Sequence, residues 1–123
     1  MREENVRSVL IVDEDTAFAA NLVAALAQEY MVIVVNDGLE AIRIVQHYTV
    51  DVVLLDLVTS ECDCFALLGR LGSMNRGPCV VVLSGVSEVT KVVKAMRLGA
   101  RDYLVKPCDS NAVRKAVGEV LAD

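Results

Sequence analysis

The sequence predicts an α/β domain in which a five-stranded, doubly wound parallel sheet carries helices on both faces. The 123 residues correspond to one domain of ordinary size. Hydrophobic residues make up 54% of the chain and charged residues 24%, which excludes a disordered segment. Short β-branched runs alternate with helix-like stretches five times along the chain. This alternation is typical of βαβ units joined by right-handed connections.

The five predicted strands are short apolar runs, of which the last is the weakest. Near-continuous valine, isoleucine and leucine without alternating polar residues is typical of strands buried on both faces. The predicted strands are Ser8–Val12, Met31–Val35, Asp51–Leu55, Cys79–Leu83 and Asp102–Val105.

The five predicted helices lie between and after these runs. Asp37 is an expected N-cap of the second helix, and Asp109 or Ser110 of the last, because aspartate and serine side chains accept hydrogen bonds from free backbone N–H groups. Asp15 has two interpretations, a cap of the first helix or a ligand. Gly99 suits the position after the fourth helix. The predicted helices are Thr16–Gln28, Leu39–Tyr48, Cys64–Ser73, Glu88–Leu98 and a last one that ends at about Leu121.

Charge and composition exclude several classes of protein. The net charge is −5, so direct nucleic-acid binding by this domain is not expected. The apolar runs are far shorter than the roughly 20 residues of a membrane-spanning helix, and the polar start lacks the apolar core of a signal peptide. We therefore expect a cytoplasmic protein without membrane contact. Its four cysteines, Cys62, Cys64, Cys79 and Cys108, are accordingly expected to be reduced thiols.

Polar side chains follow four of the predicted strands, where parallel sheets of this kind bind ligands. They are Asp13, Glu14, Asp56, Ser84 and Lys106. If the first and third strands are neighbours, the three acids converge, and two carboxylates about 4 Å apart repel by roughly 4 kcal/mol. A hard cation such as magnesium would relieve this repulsion, and magnesium usually accompanies phosphate. An aspartate can attack phosphorus, so the pattern suggests phosphoryl transfer onto Asp56.

Four motifs in order resemble the receiver domain of bacterial two-component response regulators. The first is the acidic pair within Leu10–Asp15, and the second is the strand Asp51–Leu57 that bears the phosphoacceptor. The third is Val82–Gly85, a switch hydroxyl before a small residue, and the fourth is Gly99–Pro107. The resemblance covers about Ser8 to Leu121. It implies one receiver domain over residues 1–123, with the CheY-like (flavodoxin-like) strand order 2-1-3-4-5.

The resemblance also implies a role for each site residue. Asp56 would accept a phosphoryl group from the phosphohistidine of a sensor histidine kinase. Asp13, Glu14, Asp56 and the backbone carbonyl of Val58 would hold Mg²⁺ or Mn²⁺. Lys106 would pair first with the carboxylate and then with the phosphoryl oxygens. The domain would thus be no enzyme, but a phosphoryl acceptor that assists its own phosphorylation and dephosphorylation.

A conformational switch is implied as well. Ser84 would hydrogen-bond the phosphoryl group, Tyr103 would change rotamer with it, and the bond before Pro107 would be cis. The expected output surface is formed by the fourth helix, fifth strand and fifth helix, where it would meet an output domain, a partner protein or, on phosphorylation, a second copy of the chain. Its basic residues are Lys91, Lys94, Arg97, Arg101, Arg114 and Lys115.

Two alternatives compete with this interpretation. In the family a Met-Pro pair and a glycine usually follow the acceptor, whereas this chain has Thr59-Ser60 and Cys64. These departures are the only support for a degenerate receiver that acts as a phosphorylation-independent interaction module, because every charged or hydroxyl residue of the site is present. The other alternative is a flavodoxin-type cofactor protein, which needs a phosphate-binding loop after the first strand. The acidic run Asp13–Asp15 argues against it, because these carboxylates would repel the phosphate.

Overall fold

Five strands and five helices alternate along the chain in the computed structural model, which describes residues 6–58, 63–85 and 89–122. The strands are β1 (Arg7–Val12), β2 (Tyr30–Val35), β3 (Val52–Asp56), β4 (Cys79–Ser84) and β5 (Asp102–Val105). The helices are α1 (Thr16–Leu26), α2 (Gly38–His47), α3 (Cys64–Ser73), α4 (Val89–Arg97) and α5 (Ser110–Leu121).

The strands form one parallel sheet in the order β2-β1-β3-β4-β5, so the predicted fold class and strand order are confirmed. Nearly all residues of β1, β3 and β4 are buried, because helices cover both faces of these inner strands. The edge strands β2 and β5 are only partly buried. Val12 pairs with both Val35 and Leu55, which brings the carboxyl ends of β1 and β3 together.

Side chains of each strand alternate between two apolar layers. In β1, Leu10 and Val12 pack in the layer shared with α2, α3 and α4, whereas Val9 and Ile11 pack against α1 and α5. The first is called the α2–α4 layer here and the second the α1/α5 layer. This parity also determines which face each strand-end side chain occupies.

Three helices begin directly after an aspartate that the sequence offers as an N-cap. The side chains of Asp15, Asp37 and Asp109 each accept a hydrogen bond from a backbone N–H of the first turn of their helix. The capping interpretation of Asp15 is therefore confirmed. Gly99 has a φ of 114°, the left-handed conformation expected after a helix.

The predicted boundaries within the described residues agree with the observed ones to within two residues. The strand β3 is shifted by one residue, since it begins at Val52 and not at Asp51, whose carboxylate accepts a hydrogen bond from the Ser8 backbone N–H at 2.8 Å. Asp56 thereby becomes the last residue of the strand. The predicted start of the fourth helix at Glu88 lies outside the described residues, as do Cys62 and the Thr59-Ser60 pair.

The structure also bears on the state of the cysteines and on membrane-spanning helices. Cys64, Cys79 and Cys108 are free thiols, as expected. Within the described residues, no helix combines the length and the apolar character that a membrane crossing requires.

Two helical glycines give a test of packing with opposite expected signs. A methyl group at Gly72 would lie 2.7 Å from the backbone oxygen of Leu98, whereas one at Gly118 would have no neighbour within 4 Å. Gly72→Ala is expected to lower the free energy of unfolding by about 1–3 kcal/mol, because backbone must shift. Gly118→Ala is expected to raise it by about 0.5–1 kcal/mol, since alanine favours the helix. Urea unfolding of both variants measures these changes, and equal signs would contradict the packing of α3 against the Leu98–Gly99 turn.

Candidate functional site

Three strand-end side chains meet on the α1/α5 face of the sheet. Asp13 follows β1, Asp56 ends β3 and Lys106 follows β5. The residues two positions before them pack in the α1/α5 layer, and they are Ile11, Leu54 and Leu104. Because side chains alternate along a strand, Asp13, Asp56 and Lys106 are carried to that same face. The convergence of Asp13, Asp56 and Lys106 is therefore a consequence of strand parity and strand order.

Lys106 joins the two aspartates. Its Nζ donates to Asp13 Oδ2 at 2.9 Å and to Asp56 Oδ2 at 3.0 Å. The side chains of Asp13, Asp56 and Lys106 are 2%, 6% and 15% exposed. One ammonium group thus bridges two carboxylates in a partly desolvated position, where charge-assisted hydrogen bonds are strong.

The second oxygen of each aspartate is held by the backbone. Asp13 Oδ1 accepts from the N–H of Asp15 at 2.9 Å, and Asp56 Oδ1 accepts from the N–H of Val58 at 3.0 Å. Both are local contacts to the residue two positions along, a common aspartate turn. The carboxylate planes are therefore oriented before any ligand binds.

The pKa values of Asp13 and Lys106 are shifted by burial and by their hydrogen bonds. Desolvation is the largest influence on Asp13 and raises its pKa, and the nearby Asp56 charge acts in the same direction. Hydrogen bonds from Asp15 and Lys106 oppose this rise without cancelling it. Burial alone would lower the pKa of Lys106, but its hydrogen bonds to Asp13 and Asp56 outweigh that effect and the pKa is raised. With both carboxylates ionised the trio carries a net charge of −1, which favours a cation.

An open pocket of about 500 Å³ lies over these groups. It is lined by Asp13, Glu14, Asp15, Phe18, Asp56, Val58, Gly85, Lys106 and Pro107. Glu14 lies exposed on its wall. Over the ranges that the structure describes, no three histidine, cysteine or acidic side chains form a metal-binding group, so Glu14 does not join the two aspartates in such a cluster.

This donor set nevertheless fits a hard divalent cation that keeps several waters. Asp13 and Asp56 supply buried carboxylate oxygens, and Val58 lines the same pocket. Mg²⁺ is usually bound by one or two carboxylates, with water and substrate oxygens completing its coordination. A cation would also favour the ionised form of Asp13, which burial disfavours.

The two residues expected to switch lie outside this pocket. Ser84 is fully buried, and its carbonyl accepts the N–H of Lys106 at 2.9 Å. Tyr103 is half-buried against the α2–α4 layer and is in register with Val82. Among the described residues it is Gly85, and not Ser84, that lines the pocket. The peptide bond between Lys106 and Pro107 is cis, as expected.

Sequence reasoning missed two contacts of the site. The Cys64 thiol donates to the backbone oxygen of Asp56 at 3.2 Å, and the Phe18 ring lies under the ammonium group of Lys106. The only sequence signal for the second contact is that Phe18 is the sole aromatic residue of α1. Neither contact follows from spacing along the chain, because each depends on how a helix packs against the sheet.

Comparison with known sequences shows which proteins this chain resembles. Residues 9–118 match the family model described as "Response regulator receiver domain". The transcriptional regulatory protein ZraR of Escherichia coli (strain K12) is 32% identical over 123 residues, which are 99% of this chain and 28% of ZraR. The chain therefore spans about a quarter of the length of that relative. Chemotaxis protein CheY of Halobacterium salinarum is 27% identical over 94% of this chain and 97% of its own.

Solved structures agree with the fold. A CheY-like response regulator receiver domain protein from Methanospirillum hungatei has a TM-score of 0.89 at 21% identity, covering 95% of this chain and 94% of that one. A putative response regulator from Chloroflexus aurantiacus has a TM-score of 0.88 at 24% identity, covering 96% of this chain and 99% of that one.

Proposed function

The chain belongs to the response regulator receiver domain family, and from that premise we propose that Asp56 accepts a phosphoryl group from the phosphohistidine of a sensor histidine kinase. The observation that carries this proposal is the Lys106 ammonium group, which holds the buried carboxylates of Asp13 and Asp56 at the mouth of an open pocket. We propose that the reaction takes place in the cytoplasm, because cysteine thiols stay reduced in that compartment and Cys64, Cys79 and Cys108 are free thiols.

The proposed step moves one phosphoryl group. A carboxylate oxygen of Asp56 attacks phosphorus, the bond between phosphorus and the histidine nitrogen breaks, and that nitrogen keeps the electron pair. The product is an acyl phosphate on Asp56 and a free histidine on the kinase. Lys106 stabilises the charge that moves onto the phosphoryl oxygens, since its ammonium group already contacts the attacking residue.

A divalent metal ion completes the proposed site. Asp13, Asp56 and the backbone carbonyl of Val58 would hold Mg²⁺ or Mn²⁺, with Glu14 at the pocket wall. The ion would supply positive charge to the phosphoryl oxygens. The part of Asp13 in the step would be to bind this ion and to orient Lys106.

Metal binding should be visible as stabilisation. At a Mg²⁺ concentration ten times its dissociation constant, the folded state is expected to gain about 1.4 kcal/mol. Thermal unfolding in Mg²⁺, compared with sodium chloride at equal ionic strength, measures this gain. Asp13→Asn should lose most of it because one ligand is gone. An equal gain in Asp13→Asn would contradict the proposed ligand set.

We propose that phosphorylation shifts the domain between two packed states through Ser84 and Tyr103. The α4, β5 and α5 elements would then present an altered surface to an output domain, a partner protein or a second copy. This surface carries exposed apolar residues on α4 and β5, which are Val89, Val93, Met96 and Val105. Among the predicted basic residues, Lys91, Lys94 and Arg97 are exposed on α4, whereas Arg114 pairs with Glu29 at 3.0 Å.

The proposal is tested with the purified chain, magnesium and a small-molecule acyl phosphate. Intact-mass measurement should show a gain of one phosphoryl group that chelation of magnesium prevents. A folded protein with no gain would favour the degenerate receiver that interacts without phosphorylation. In that case the Thr59–Cys64 stretch, where the sequence departs from the family, would be the first segment to restore.

A further inference from the structure

Lys106 has a third partner besides the two aspartates. Its Nζ lies 4.2 Å from the centre of the Phe18 ring, within the range of a cation–π contact. Phe18 belongs to the first turn of α1, where its own N–H donates to the capping carboxylate of Asp15 at 3.0 Å. The cap that starts α1 therefore also sets the position of the ring.

The ring and the carboxylates enclose the ammonium group. An ammonium group has three N–H donors, of which Asp13 and Asp56 accept two. Phe18 packs in the α1/α5 layer, lines the same pocket and covers a further side of the cation. Only 15% of the lysine side chain is left exposed.

We propose that Phe18 is a positioning residue that holds the Lys106 ammonium group in place for the phosphoryl group through its ring face. This inference rests on the function proposed for Asp56. A lysine side chain is flexible, and ordering it costs rotamer entropy. The ring restricts those rotamers without adding negative charge to a site that already holds two carboxylates. It would keep the cation in place when the charge on Asp56 changes.

The chain contains a matched control for this contact. Lys94 Nζ lies 4.4 Å from the centre of the Phe65 ring, which is the same kind of pair at nearly the same distance. This pair joins α4 to α3, its lysine is exposed, and Phe65 does not line the pocket over Asp56. Replacing Phe65 changes an aromatic–lysine contact without touching Lys106.

The first experiment measures the contact itself and needs no phosphorylation. Free energies of unfolding are measured without metal for Phe18→Leu, Lys106→Met and the double variant. If the ring holds the ammonium group, Lys106→Met should destabilise the Phe18→Leu background less than the wild type. Additive effects would overturn the proposal, whether or not Asp56 is ever phosphorylated.

The second experiment measures the consequence for phosphoryl uptake. The rate with magnesium and an acyl phosphate should fall roughly three- to tenfold in Phe18→Leu and Phe18→Met. Phe18→Tyr and Phe18→Trp should stay near wild type because they keep a ring face. Mg²⁺ affinity should be unchanged in all four variants, and Phe65→Leu should keep the wild-type rate.

Progressive fluorination of the Phe18 ring separates electrostatics from packing and avoids variants that fail to fold. Fluorine withdraws electron density from the ring face at nearly constant shape, so the rate should fall stepwise at Phe18 and stay constant at Phe65. A flat response at Phe18, or equal rates for the Met and Tyr variants, would overturn the proposal. If the wild type takes up no phosphoryl group, the function proposed for Asp56 fails, and the unfolding cycle still decides the Phe18 contact.

Discussion

Replacement of Asp56 by asparagine is expected to abolish phosphoryl uptake. The asparagine amide has nearly the same shape as the carboxylate, but it cannot act as the attacking nucleophile. Intact mass after incubation with magnesium and an acyl phosphate should therefore show no gain in Asp56→Asn, while the wild type gains one phosphoryl group. Circular dichroism and the thermal midpoint of the variant would show that it is folded.

Asp37→Asn is the matched control for this prediction. Asp37 lies after β2 at the same edge of the sheet and caps α2 by accepting from the N–H of Glu40 at 2.8 Å. Asparagine is as good an N-cap as aspartate, so this variant should keep both the fold and the full phosphoryl gain. A phosphoryl gain in Asp56→Asn equal to that of the control would mean that another residue is the acceptor.

Replacement of Lys106 by methionine is expected to cause the largest loss of stability. Methionine keeps much of the apolar stem but leaves the carboxylates of Asp13 and Asp56 buried without a counter-charge. Breaking such a buried group by removing one partner costs about 3–5 kcal/mol, and the partial exposure of Lys106 places the expected loss near the lower end of that range. Phosphoryl uptake should fall in parallel, because the cation beside Asp56 is gone.

The loss of stability caused by Lys106→Met should depend on the magnesium concentration and on pH. Mg²⁺ bound at the proposed site would supply the missing positive charge, so it should stabilise Lys106→Met more than the wild type. The pKa of Lys106 is raised in the folded protein, so its stabilisation is complete below the unfolded value of about 10.4 and disappears as pH rises through the higher folded value. The difference in stability between wild type and variant should therefore narrow in strongly alkaline solution.

Low pH should also narrow the difference in stability between the wild type and Lys106→Met, for another reason. In the variant both carboxylates lack their counter-charge, so protonating them removes the repulsion. Lys94→Met is the control, because this exposed lysine contacts an aromatic ring and contributes to no buried carboxylate pair. A constant difference across pH, or an equal loss in Lys94→Met, would contradict the assigned role of Lys106.

Strand order and strand parity explain why most of the site could be read from the sequence. Each of Asp13, Asp56 and Lys106 follows or ends an apolar run, and a parallel sheet brings the carboxyl ends of its strands to one edge. The same logic places Glu14 and Ser84 differently. One residue beyond Asp13 the chain has left the strand, and Glu14 lies on the pocket wall. Ser84 lies one residue beyond Leu83, which packs in the α1/α5 layer, so Ser84 alternates to the opposite face from Asp56.

The fold class, the five strands, the helix caps and the charged residues at the strand ends follow from the amino-acid sequence alone. These features depend on local periodicity and on residue types that act within a few positions of the chain. Three contacts depend on tertiary packing. Lys106 joins Asp13 to Asp56, Phe18 covers its ammonium group, and the Cys64 thiol donates to the backbone oxygen of Asp56. Such contacts join residues far apart in sequence, and their geometry depends on how each helix is rotated and packed on the sheet, which no local pattern specifies.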